Sequence, residues 1–95
     1  MGAATRVRWT SKALSDLARL HGFLAIGSKA AADRAVKSLT AAAGSLAAHP
    51  RLGDHLDQFE EREVRRLLVG QFELRYEVAG GNVFILRLWH SREEH

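Results

Sequence analysis

The chain has no cysteine, a single proline, a single tyrosine and a single methionine among 95 residues. Without thiols it has no disulfide framework, no thiolate zinc site and no cysteine nucleophile. No apolar run reaches the length of a membrane span. The opening "MGAATR" carries no apolar stretch of a signal peptide, and Arg6 stands where a myristoylation pattern needs Ser or Thr. No GxGxxG, phosphate-loop or HExxH pattern occurs. His90 and His95 are too weakly patterned for a metal site. These absences point to a cytoplasmic domain with no cofactor, no metal and no membrane association.

What is present suits one folded domain over residues 1–95. Hydrophobic residues make up 46% and charged residues 26%, the balance of a globular chain. A chain of this length has room for one core, with stability on the order of 5–10 kcal/mol. The formal charge is +3 but unevenly spread. Through Pro50, Arg6, Arg8, Lys12, Arg19, Lys29, Arg34 and Lys37 face only Asp16 and Asp33. Beyond it, arginines are outnumbered by acids and lysine is absent. A generic nucleic-acid binder is more basic than this.

"TRVRWT" alternates like a short strand, with Val7 and Trp9 on one side and Arg6 and Arg8 on the other. Thr10 or Ser11 can cap a helix. Ala13, Leu14, Leu17, Leu20 and Leu24 form its apolar stripe. Gly27-Ser28 breaks the pattern, and a second, alanine-rich stripe runs from Lys29 to about Ala48, so the two make a helical hairpin. Asp16 and Asp33, near helix starts, suit the helix dipole and need no further role. Pro50 and Gly53 end the helical region. "QFEERE" reads equally as a charged loop or the start of a strand.

Three strands follow. The first spans residues 64–69 and turns at Gly70-Gln71. In the second, Phe72, Leu74, Tyr76 and Val78 share one face, and Glu73, Arg75 and Glu77 the other. Gly80-Gly81 turns again into "VFILRLWH", apolar on both faces, as a central or partner-covered strand is. On strict alternation Ile85, Arg87 and Trp89 share a face and His90 lies opposite. The order β-α-α-β-β-β predicts an α+β fold, the helical hairpin packed on a mostly antiparallel sheet.

The segments "VRWTSKALSDLARL", "AHPRLGD", "REVRRLLVGQFELRYEV" and "VFILRLWHSRE", in this order and spacing, resemble the RelE/ParE superfamily of type II toxins. The resemblance covers nearly the whole chain. It implies either ribosome-dependent cleavage of messenger RNA, the RelE-like branch, or poisoning of DNA gyrase without chemistry, the ParE-like branch. Both imply a cognate antitoxin that wraps the toxin.

RNA cleavage through the 2′-hydroxyl needs a base, an acid and cations around the phosphorane. His90 with Glu61 (or Asp57 or Glu60) and Arg65 (or Arg66) are the candidates for a nuclease. Against it, many nuclease relatives carry an arginine three residues before the tyrosine matching Tyr76. Here that residue is Glu73, which repels a phosphate by about 1–4 kcal/mol at contact. The terminal tyrosine of many nucleases is also missing. "VRRLLVG" and "ILRLWH" are closer to the ParE-like branch, which implies binding with no catalytic residues. On that reading Arg65, Arg66, Arg75, Arg87, His90 and Arg92 bind the target, DNA gyrase. Ile85 and Trp89 meet a ParD-like antitoxin, and no sequence-specific contact with nucleic acid is expected. A degenerate member that binds its antitoxin without toxicity is a third reading. The plain alternative is that Arg65, Arg66 and Arg75 are solvent-side residues paired with Glu63, Glu73 and Glu77, worth about 0–1 kcal/mol each.

Overall fold

A computed structural model describes residues 5–93. The expectations about the first four residues of "MGAATR" and about His95 lie outside the described residues. Strand β1 (Val7–Trp9) leads into helices α1 (Ser11–Gly27) and α2 (Lys29–Ser45). Strands β2 (Asp54–His55), β3 (Glu63–Val69), β4 (Phe72–Ala79) and β5 (Asn82–His90) follow. The sheet order is β1-β5-β4-β3-β2; β1 runs parallel to β5 and the other pairs are antiparallel. The α+β architecture is the expected one. The short β2 is an addition, and "QFEERE" resolves into a loop up to Glu63, where β3 begins.

Side-chain caps set the helix limits. The Thr10 hydroxyl accepts the Ala13 N–H at 3.1 Å and donates to the Ile85 carbonyl at 2.8 Å, tying the start of α1 to β5. Gly27 stays helical, and the break falls on extended Ser28, at once the last cap of α1 and the first of α2. Asp33 then pins the hairpin, taking His21 and Lys29 at 2.9 Å each. Helix α2 ends at Ser45, short of Ala48, and residues 46–48 form a turn. At the β3–β4 turn only Gly70 has positive φ (59°); at the β4–β5 turn both Gly80 (59°) and Gly81 (77°) do, which a two-residue type I′ hairpin requires.

The helices cover one face of the sheet. Leu20, Leu39 and Leu46 meet Leu74, Tyr76, Val83, Ile85 and Leu88, all fully buried or nearly so. Each such side chain contributes about 1.5–3 kcal/mol. Buried Ala13, Ala32, Ala35 and Ala43 let the helices come close. At one end of this face the Tyr76 hydroxyl accepts the Gly53 N–H at 2.9 Å. A Cβ on Gly53 would lie 2.6 Å from the Arg66 carbonyl oxygen, so only glycine fits there.

A bulge in β5 corrects the expected alternation. Tyr76 pairs with Ile85 and Arg75 with Arg87, which leaves Leu86 without a partner on β4. Val83 and Ile85 therefore point to the helices, and beyond the bulge Leu88 and His90 do. Arg87 and Trp89 turn to the outer face. Ile85 and Trp89 do not share a side, and Ile85, at 0% exposure, is closed to an antitoxin.

Candidate functional site: the outer face of the sheet

The bulge places three arginines abreast. Arg66 of β3 is level with Arg75 of β4, and Arg75 with Arg87 of β5. Strands lie about 4.8 Å apart, so the row spans about 10 Å. Asp54 of β2 continues it beyond Arg66. One register along, on the same face, come Leu68, Glu73 and Trp89.

Like charges side by side on a sheet repel, so the row needs anchoring. Trp89 is one anchor: the guanidinium carbons of Arg75 and Arg87 lie 4.8 Å and 5.1 Å from its ring centre. Each such contact is worth about 0.5–2 kcal/mol. Trp89 is thereby covered, only 7% exposed, so it is a plate under cations rather than a free apolar contact for an antitoxin.

Asp16 is a second anchor. It lies on the buried stripe of α1, beside the stretch of β5 that β1 is too short to cover. Its carboxylate accepts the Arg87 Nε–H at 2.7 Å and the Leu88 N–H at 2.9 Å. Arg19 donates to it at 3.2 Å and to the Leu88 carbonyl at 3.1 Å. Arg19 also pairs with Glu93. Burial alone would raise the Asp16 pKa, but the bonds from Arg87, the Leu88 N–H and Arg19 outweigh it and hold the carboxyl below its ordinary value. The expectation that Asp16 serves only the helix dipole is thus corrected. It closes an open strand edge and fixes Arg87.

Arg75 is held by Glu73 at 3.1 Å. The Arg66 side chain makes no hydrogen bond or ion pair among the described residues. The Nε atoms of Arg66 and Arg75 are buried with no acceptor. Buried donors without partners are uncommon and cost about 1–3 kcal/mol each. Glu77, expected to pair with this group, is taken instead by Arg62 at 2.8 and 3.0 Å.

The other expected site residues lie elsewhere. Arg65 faces the helix side, bonded to Glu63 and to the Gly53 carbonyl at 2.8 Å each. His90 also points to the helix side, its ring edge-on to Phe72 with centres 5.3 Å apart. Its Nδ1 accepts the Arg92 N–H at 3.1 Å, which leaves Nε2 to donate to Gln71 at 3.2 Å. Arg92 is exposed in the turn after β5. Glu61 lines an open cleft with Arg51, His55 and Arg65. His90 is far from it: level with Val69, four residues along β3 from Arg65 and two strands across. That is about 16 Å. Glu61 and Arg65 come together, then, and His90 does not join them.

Sequence reasoning missed Asp16 and the bulge. Asp16 had a signal: it stands three residues after Ala13 and four before Leu20, both buried on the apolar stripe. The bulge at Leu86 had none beyond an apolar residue where alternation expects either face.

The family model described as the ParE toxin of the type II toxin–antitoxin system parDE matches residues 7–95. Toxin RelE2 of Caulobacter vibrioides is 37% identical over 86 residues, 90% of this chain and 94% of that protein. Among solved structures, a chain from the chromosomal ParDE system of P. aeruginosa superposes with a TM-score of 0.75. That match covers 92% of this chain and 96% of the other at 22% identity, and it shows a shared fold.

Proposed function

This chain belongs to the ParE toxin family of type II toxin–antitoxin systems, and we propose that it acts in the cytoplasm by seizing DNA gyrase through the outer face of its sheet. It performs no chemistry of its own, and a cognate ParD-like antitoxin neutralises it. The observation that carries this reading is the arginine row, Arg66, Arg75 and Arg87 on the Trp89 plate. Such a surface is built of the residue types that dominate protein interfaces, arginine and tryptophan. Among the described residues it carries arginines and the Glu73 carboxylate but no histidine, the side chain most often used for general acid–base work. Glu73 adds a carboxylate beside Arg75 on this face, and a carboxylate repels a phosphate. The nuclease candidates are divided between separate places, Glu61 and Arg65 in one and His90 in the other.

Purified gyrase tests the proposal. Supercoiling should fail on adding the protein, and should be restored when Arg66 and Arg75 are both changed to glutamate. Induced cells should show double-strand breaks while transcripts stay intact. Codon-linked transcript cleavage would replace the proposal with a ribosome-dependent endonuclease. Undisturbed growth with a folded protein would replace it with a degenerate, antitoxin-binding member.

A further inference from the structure

The geometry points to the kind of element that occupies the arginine row: we propose that it receives an acidic helix of a partner protein, laid across the strands with one carboxylate per turn. The inference rests on the reading of the outer face as protein-binding. It begins with unmet donors. Arg66 has no partner among the described residues, and the Nε–H groups of Arg66 and Arg75 have no acceptor. The Nε–H groups are buried, so a partner's carboxylate meets the guanidinium end-on through the terminal N–H groups, which in Arg66 no described side chain takes.

Spacing selects the helix. The arginines recur every 4.8 Å or so across the strands. Residues on one helical stripe recur about every 5.4 Å, so three glutamates on successive turns reach all three arginines. An extended chain repeats a face only every 6.6 Å or so and drifts out of step by the third contact.

The surroundings favour discrete carboxylates over a phosphate chain. On β4, Arg75 stands between Glu73 and Glu77, both on the same face. A nucleic-acid strand is charged at every step and wider than one row, so it would meet those acids. A helix need carry charge on one stripe only. Beside that stripe an apolar residue finds Leu68, which is 66% exposed in the neighbouring register.

The test uses the isotope-labelled full chain and three probes. Two are helical peptides of equal composition, one with three glutamates on a single stripe, the other with the same glutamates spread around the helix. The third is a short single-stranded DNA. The striped peptide should bind at least about tenfold tighter than the spread one. It should shift the Arg66 and Arg75 Nε–H resonances, and the preference should vanish in Arg66→Gln. Equal affinity of the two peptides, tighter binding of the DNA, or unmoved Nε–H signals would each overturn the proposal. The same Arg66→Gln protein is assayed for supercoiling inhibition. If inhibition depends on Arg66 while the peptides bind alike, the helix geometry fails and the protein-binding face stands. If inhibition ignores Arg66, the reading of the face itself fails.

Discussion

Changing Asp16 measures how firmly the arginine row is tied to the core. In Asp16→Ala the Leu88 N–H loses its 2.9 Å acceptor in a buried setting. An orphaned buried donor costs about 1–3 kcal/mol. The Arg87 and Arg19 side chains are 36% and 40% exposed, so water can resolvate them, and each lost ion pair adds at most about 1 kcal/mol. The expected total is about 2–4 kcal/mol. Asp16→Asn keeps an oxygen for the Leu88 N–H and loses the charge, at a cost of about 1–2 kcal/mol. Urea denaturation at neutral pH should therefore rank wild type, Asn, Ala in that order with an unchanged slope. The pH dependence follows from the lowered pKa of Asp16. A carboxyl held below its ordinary value adds stability that is complete above the unfolded pKa, near 3.9, and is lost as pH falls through the folded one. The gap between wild type and Asn should hold from neutrality to about pH 5 and close in more acid solution. Equal losses for Ala and Asn would refute the role given to the Leu88 N–H, and a gap unchanged in strong acid would refute the ionised carboxylate.

Two further outcomes can be read with ordinary equipment. Tyr76 is the only tyrosine, so its ionisation is visible by ultraviolet titration. Burial raises its pKa above the ordinary value, against the opposing pull of the Gly53 N–H and Arg65, so the midpoint should lie above about 10 while the protein stays folded, with stability falling as pH rises through that region. A midpoint at or below the free-tyrosine value would mean that the phenol is not held as described. Arg66→Leu removes an unmatched buried donor, so urea midpoints should be unchanged or higher by up to about 1 kcal/mol of stability; a loss beyond about 2 kcal/mol would show that Arg66 has a stabilising partner after all.

Much of the fold was legible because local chemistry was unambiguous. The two helical stripes, the Ser28 break, the glycine turns and the strict alternation of Phe72 to Val78 each follow from periods and caps that depend on near neighbours. The site was legible in kind but not in membership. Arg66, Arg75 and Arg87 were named, yet Arg65 and His90 were named with them and belong to the other face. Alternation already sets Arg65 against Arg66 and His90 against Arg87, so charge alone grouped them; the unpaired Leu86 hid a different error, the placing of Ile85 on the side of Arg87 and Trp89. Asp16 was underrated for a related reason. Its value comes from a strand edge some seventy residues away, which no helix-based rule can see.

The same bulge explains why the row can exist. Had β5 continued in step, Arg87 would have pointed into the helices beside Ile85, and Leu88 would have faced outward. With the bulge, Leu88 fills the core and Arg87 can bend round the open edge of β5 to Asp16, while Trp89 slides under two guanidiniums. Two of the three cations are thus held by the protein itself, Arg87 by Asp16 and Arg75 by Glu73. The third is not. Arg66 lies level with them, held in place by the backbone pairing of β3 but with no side-chain partner among the described residues. A protein selected for stability alone would carry an apolar residue there, since an unmatched buried donor only subtracts. Arg66 has the most to gain from binding because no side chain among the described residues competes for it.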